Sequence, residues 1–276
     1  MSSAIWFASL AVGILLLYVG IVGVMSLAQS RLLFPTHLAA SHGPPLPASA
    51  ARLEIGTPDG ERLSGVRLGP ADRTADRLPL LIGFGGNAWN AETMALLLHD
   101  LLPGAEVVAF HYRGYAPSTG YPSVNALLGD ALTIFDHLER ESARRIVPVG
   151  FSIGSGVAAY LARHRPVAGM ILVTPFDSLE ALASEHFPWA PVGLVLRHRM
   201  SLVDFVRESR VPTAVIAAGR DSIVPHRRTE PLRRAVPNLV FDRTIADAGH
   251  NDLYGHPAFA GTLRDALARI ESAGGR

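Results

Sequence analysis

From Ala4 to Ala28 the chain runs for 25 residues without a charged side chain, and the first charge after that run is Arg31. So apolar a segment must satisfy its backbone polar groups internally, which makes it a helix, and at 1.5 Å per residue it is long enough to cross the hydrocarbon core of a bilayer. Residues 1–30 are therefore expected to form an N-terminal transmembrane helix, with the membrane as a partner of the chain. A cleaved signal peptide is the second reading. It usually carries a basic segment ahead of a shorter apolar stretch, and no arginine precedes this one, although Ser26-Leu27-Ala28 offers the small residues that a signal peptidase accepts. A buried core helix fits poorly with so long a charge-free run. Arg31 beyond the span leans towards a cytoplasmic domain by the positive-inside rule, but one arginine leaves the membrane face open.

The rest of the 276 residues suffices for one globular domain with a sizeable core. A net charge of +1 without a basic run lacks the footprint of a nucleic-acid binder. The absence of cysteine excludes disulfides, cysteine zinc sites and a thiol nucleophile. All 25 basic residues are arginine, so lysine-dependent nucleotide and pyridoxal chemistries are excluded as well. Residues 31–50, rich in proline and small residues, read as a tether, and 51–276 as the domain. Within it, Arg52–Ile55 and Leu63–Leu68 alternate like an antiparallel pair. Short apolar runs near 78–84, 105–110, 145–150, 168–174, 212–218 and 238–245 then alternate with helix-period segments near 88–101, 123–140, 153–164, 227–235 and 257–272. This pattern predicts an α/β fold, a mostly parallel sheet with helices on both faces. The clearest helix is 123–140, with Val124, Leu127, Leu128, Ala131, Phe135 and Leu138 on one side and Ser123 as its cap.

Arg145 to Val149 leads into Gly150-Phe151-Ser152-Ile153-Gly154 and then a small-residue helix. This is the strand, sharp turn and helix of a nucleophile elbow, in which glycines flank a serine lifted clear of the sheet. Serine needs a histidine to take its proton, and the histidine needs a carboxylate to hold its tautomer. The strand at 212–218 ends in Gly219-Arg220-Asp221, and the next one leads to Ala248-Gly249-His250, so Ser152, Asp221 and His250 follow one another at the same sheet edge. A tetrahedral oxyanion needs two donors. One is the amide of Ile153; the other comes from the loop Gly85-Gly86-Asn87, assigned to Asn87 N–H with Gly86 as the alternative.

Five ordered motifs carry a resemblance: Gly83-Phe84-Gly85-Gly86-Asn87-Ala88; Tyr112-Arg113-Gly114-Tyr115 with Ser118, Gly120, Pro122 and Ser123; Gly-Phe-Ser-Ile-Gly; Asp221-Ser222-Ile223-Val224-Pro225; and Gly249-His250-Asn251-Asp252. Over roughly Arg31 to Arg269 the chain resembles the α/β-hydrolases, in particular the membrane-anchored serine hydrolases that include lysophospholipase-like enzymes and protein depalmitoylases. The resemblance implies the α/β-hydrolase fold, a Ser152, Asp221, His250 triad, and hydrolysis of an ester, thioester or amide through an acyl-enzyme, with no metal or organic cofactor. Gly85 stands where relatives often carry histidine, and Ala116 where they often carry glycine.

Other residues compete for roles. Asp177 also follows a strand and is an alternative acid, or a cap for the helix beginning near Ser178. Arg113 either touches substrate or, as an arginine in a tight turn more often does, holds loops together through backbone carbonyls, which is the expectation here. His186, His198 and His226 lack metal-ligand spacing. A short cap insertion is expected near 178–210, where Phe187, Trp189 and Leu194 either face the serine and accept an acyl chain or pack on the domain and the bilayer. Gly154-Ser155-Gly156-Val157-Ala158-Ala159 superficially meets a dinucleotide fingerprint, with Asp177 downstream, but that reading leaves Asp221, His250 and the Gly-Gly-Asn loop unexplained. The expected function is a membrane-anchored serine hydrolase with a small-molecule or lipid/acyl substrate. A catalytically silent binding module at the membrane and a serine peptidase of the same fold are the alternatives.

Overall fold

Short apolar runs form an eight-stranded sheet in the computed structural model, which describes residues 3–39, 43, 45–70, 79–141 and 144–274. The strands are β1 (Ala51–Gly56), β2 (Arg62–Leu68), β3 (Leu80–Phe84), β4 (Glu106–Phe110), β5 (Ile146–Phe151), β6 (Met170–Val173), β7 (Thr213–Ala218) and β8 (Leu239–Ile245). They lie in the order β1-β2-β4-β3-β5-β6-β7-β8. The predicted antiparallel pair is β1 with β2, β2 runs antiparallel to β4, and every later pairing is parallel. Strands β3, β5, β6 and β7 are buried along their whole length, as expected where helices cover both faces.

Alternation along the strands divides the core between the two faces. Leu81, Val107 and Val149 point to the side covered by α2 (Ala91–Leu101) and α9 (Pro257–Gly274). Ile82 and Val108 point to the side covered by α3 (Val124–Glu141) and α4 (Ile153–His164). Ser123 Oγ accepts the Ala126 amide at 3.1 Å, as its cap position predicts. Helix α2 starts at Ala91 rather than at 88 because the Asn90 side chain accepts the amides of Glu92 and Thr93 and so sets the first turn. The strand order reverses between β3 and β5, which opens a crevice at their carboxyl ends, the usual ligand position of an open α/β sheet.

Between β6 and β7 the chain makes an excursion through α5 (Leu179–His186), α6 (Val192–Val195) and α7 (Leu202–Arg207), followed after β7 by α8 (His226–Ala235). The N-terminal helix α1 runs from Ser3 to Leu33, three residues past the expected end of the span. It is the one helix among the described residues long and apolar enough to cross a membrane. Ser3 to Ile21 is exposed throughout, whereas from Val22 onward the helix lies partly against the excursion. The described part of the expected tether is not a free spacer: Phe34 and Ala39 are buried, and Leu46 and Ala50 pack on the core, because apolar side chains interrupt its prolines. Tether residues 40–42 and 44, and position 78 of the first expected parallel strand, lie outside the described residues.

Candidate active site

Ser152 sits between the end of β5 and the start of α4 with φ +53° and ψ −118°, a left-handed conformation that costs a non-glycine residue energy. Its neighbours show why the turn is so tight. A Cβ on Gly150 would come within 2.3 Å of the Gly154 carbonyl oxygen, and one on Gly154 within 2.1 Å of the Phe84 carbonyl oxygen. Only glycine permits β5, α4 and β3 to approach that closely. Ser152 N donates to the Val173 carbonyl at 2.9 Å, and buried Ser155 Oγ donates to the carbonyls of Gly150 and Val173 at 2.9 and 3.0 Å. The Ser152 hydroxyl does not cap α4. The Gly-x-Gly-x-x-Ala string lies inside α4 rather than in a loop ahead of it, and a Cβ on Gly156 would strike Met200 Sδ at 2.0 Å. These glycines serve close packing and offer no cradle for a pyrophosphate.

Asp221, in the turn after β7, places Oδ2 2.7 Å from His250 Nδ1, while Oδ1 accepts the amides of Ile223 and Val224 at 2.9 and 2.6 Å. The Asp221 side chain is only 2% exposed and that of His250 8%. A carboxylate accepting three hydrogen bonds holds the proton on Nδ1, which leaves a lone pair on Nε2. Asp177 is occupied elsewhere. Its Oδ1 accepts the Ser178 amide at 2.7 Å and its Oδ2 pairs with Arg228 at 3.1 Å, while the cap of α5 is Ser178, which accepts the Ala181 amide. Burial pushes the Asp177 carboxyl above its ordinary range, against the pull of the Ser178 amide and Arg228.

Ser152, Ile153, Gly86, Asn87 and His250 line one cavity of about 450 Å³. The loop after β3 is fixed from behind: Tyr112 donates to the Gly85 carbonyl at 2.8 Å, and Tyr115 donates to the Asn87 carbonyl. A Cβ on Gly85 would lie 3.2 Å from Trp89 Cβ, so a glycine there makes room for the tryptophan. Trp89 packs its ring on Phe151 and Tyr254, with centroids at 5.0 and 4.6 Å, and walls the cavity together with Tyr254. Burial raises the Tyr254 hydroxyl to about 12.

Trp89 and Tyr254 escaped the sequence reading, although each stands within four residues of a motif, two after Asn87 and four after His250. Leu33, from α1, also lines the cavity, and no local pattern marks it. The expected substrate residues Phe187, Trp189 and Leu194 are absent from these walls. Phe187 and Trp189 stand on the α1 side of the excursion instead, and Leu194 faces outward. Tyr18 donates to the Trp189 carbonyl at 3.0 Å and packs against its ring, Phe187 lines a separate cavity beside α1, and Leu194 is 87% exposed. For Phe187 and Trp189, α1 supplies part of the surface they pack against.

Arg113 does bind loops together, but through carboxylates rather than backbone carbonyls. It joins Asp59, in the β1–β2 turn, to Asp130 on α3. Arg113 lowers the exposed Asp59 carboxyl to about 2, whereas burial keeps that of Asp130 raised despite the same guanidinium. Among the three histidines considered, His186 meets the Ile223 carbonyl at 2.8 Å, His198 meets Ser30 Oγ at 2.7 Å, and His226 meets Glu230 at 3.1 Å. No cluster of metal-ligating side chains occurs among the described residues.

Comparison with known proteins agrees with this architecture. Residues 78–197 match the family model for the α/β-hydrolase fold. An uncharacterized protein of Mycobacterium tuberculosis is 32% identical over 220 residues, covering 75% of this chain and 77% of its own length. Lysophosphatidylserine lipase ABHD12 of Rattus norvegicus is 27% identical over 236 residues, covering 72% of this chain and 58% of the lipase. Among solved structures, the Pyrococcus furiosus esterase Pf2001 superposes with a TM-score of 0.65 at 21% identity, over 83% of this chain and 95% of the esterase.

Proposed function

This chain belongs to the α/β-hydrolases, and from that premise we propose that it is a membrane-anchored serine hydrolase that cleaves acyl esters or thioesters of lipid-like substrates through an acyl-enzyme. One observation carries the proposal: a strained serine between two obligatory glycines shares a cavity with a histidine whose Nδ1 is held 2.7 Å from a buried carboxylate. Ser152 Oγ attacks the acyl carbonyl as His250 Nε2 takes its proton, and Asp221 stabilises the imidazolium. The amide of Ile153, at the N-terminus of α4, and that of Asn87 or Gly86 receive the oxyanion, where preorganised donors contribute most. His250 then returns the proton to the departing oxygen or sulfur. The acyl group remains on Ser152 until water, deprotonated by the same imidazole, releases it.

Residues 51–276 serve as the hydrolase domain, the excursion at 178–210 as its cap, and α1 as the anchor. The exposure of Ser3 to Ile21 supports the anchor, since such a surface is tolerable only in lipid or against another apolar partner. The likeness to a lysophosphatidylserine lipase supports a lipid substrate.

The test is labelling of the detergent-solubilised full chain with a fluorophosphonate, beside Ser152→Ala and His250→Ala. Labelling of the parent protein alone supports the reading, and a screen of acyl esters, thioesters and peptides then separates esterase from peptidase. A folded parent protein that does not label would make it a silent binding module.

A further inference from the structure

The cavity at Ser152 is adjoined by a second one of about 390 Å³, between the C-terminal half of α1 and the cap. Leu33 and Leu179 belong to the walls of both, so the two cavities meet across these side chains. The second is lined mainly by apolar groups, among them Val22 and Met25 of α1 and Ala183 and Val195 of the cap. Its polar side chains are already engaged in joining α1 to the cap. Gln29 donates to the Val195 carbonyl and accepts the Arg197 amide, and His198 meets Ser30. These bonds occupy the Gln29 amide and one ring nitrogen of His198, and so apolar a space is unfavourable for water.

Its length is informative. From Val22 to Leu33 the wall follows eleven residue steps of helix, about 17 Å at 1.5 Å per residue. That is about half of a bilayer core of ~30 Å, the depth reached by one acyl chain in one leaflet. Phe187 both lines the cavity and is 39% exposed, which places it at the rim, and Trp189 packs against Phe187 and Tyr18 there. Aromatic side chains of this kind collect where a protein meets the bilayer interface.

We infer that α1 is a wall of the substrate site as well as an anchor: the passage from Ser152 past Leu33 and Leu179 into the α1–cap cavity holds the acyl chain of a single-chain lipid ester, taken from the bilayer. This rests on the serine hydrolase reading. The polar end at Ser152, with Asn87, Asn251 and His250, receives the ester, and the apolar end receives the chain.

The experiment uses the full chain in detergent and a series of p-nitrophenyl esters from acetyl to palmitoyl. In the parent protein kcat/KM rises with acyl length, by up to about fourfold per buried methylene. Ala183→Trp on the cap and Met25→Trp on α1 each fill the passage and lower the long-chain to short-chain ratio of kcat/KM at least tenfold. A profile in either folded variant that stays parallel to the parent's overturns the inference while leaving an esterase in place. A folded parent protein that neither labels with fluorophosphonate nor cleaves any ester overturns the underlying reading. A palmitoyl-length fluorophosphonate with a terminal diazirine gives a measurement independent of variants. Once Ser152 is labelled, photolysis should attach the chain to α1 or to the α5–α6 segment, and attachment confined to other elements rejects the passage.

Discussion

Ser152, Asp221 and His250 lie 69 and 29 residues apart in order along the chain, and each owes its position to a different residue-scale cause. The serine depends on the missing side chains of Gly150 and Gly154, the aspartate on two amides in its own turn, and the histidine on that aspartate. Asp221→Asn retains an acceptor for the turn but no longer enforces the Nδ1–H tautomer. Turnover of a p-nitrophenyl ester should fall on the order of 10⁴-fold with little loss of stability. Asp177→Asn makes the opposite pattern, because Asp177 faces Arg228 and the Ser178 amide rather than His250. Its thermal midpoint should drop while the rate per folded molecule stays within a few fold of the parent's; a collapse in kcat would transfer the acid's role to Asp177. Gly154→Ala adds a methyl into the Phe84 carbonyl and should cost about 3 kcal/mol, the upper end of ordinary overpacking, measured by urea unfolding.

At the scale of elements, Arg113 shows how the loop after β4 is fastened. Its side chain is 11% exposed and that of Asp130 7%, so the pair is largely removed from water and stands between the β1–β2 turn and α3. Removing one member of such a pair strands the other, a loss of about 3–5 kcal/mol. Arg113→Ala should therefore be strongly destabilised at pH 7. The pH dependence follows from Asp130, whose carboxyl burial already raises. Without the guanidinium its folded value rises further above the unfolded one, so stability is lost as pH climbs from the unfolded pKa through the folded one. The deficit of Arg113→Ala should thus shrink at pH 4–5, and Asp130→Asn added to it should restore part of the loss at pH 7; a deficit independent of pH would assign the effect to lost packing instead. Elements of this kind were readable where one local cause sets them. The parallel strands announced themselves as apolar runs, α3 by its stripe and Ser123, and the elbow by its glycines. The start of α2 was not, because Asn90 as a cap looks like any polar loop residue until its amides are in place. Trp89 and Tyr254 were missed for a related reason: an aromatic residue in a loop reads the same whether it walls a cavity or covers a surface.

The whole molecule adds what no local pattern contains, namely which surfaces meet. That α1 is apolar and helical follows from its composition, but that Ser26, Gln29 and Ser30, one helical face, join residues 195–198 depends on a contact across about 170 positions of chain. The same contact holds Phe187 and Trp189 on the α1 side, away from the walls at Ser152, whereas Ser152, Asp221 and His250 are each set by their own turn and reach the sheet edge without it. It also divides α1 into two parts. Ser3 to Ile21 is exposed over about 28 Å of helix, close to the thickness of a bilayer core, with Tyr18 reaching Trp189 near its end, and the turns from Val22 to Leu33 lie against the α5–α6 segment. If both parts operate together, the protein isolated from membranes retains the segment ahead of Arg31, stays with the lipid fraction in alkaline carbonate, and yields the Met1–Arg31 tryptic peptide by mass spectrometry. Replacing Leu16 and Leu17 by arginine, at about 2.5–3.5 kcal/mol each near the centre of a span, should release the chain from that fraction. Tyr18 and its bond to Trp189 stand beside the substitutions, but the bonds of Ser26, Gln29 and Ser30 to residues 195–198 lie two turns or more further on, so the released protein should keep its fluorophosphonate labelling. Recovery of a membrane-free product that lacks the peptide would instead make the segment a cleaved leader, and the cap would then lose the helix that walls its apolar cavity.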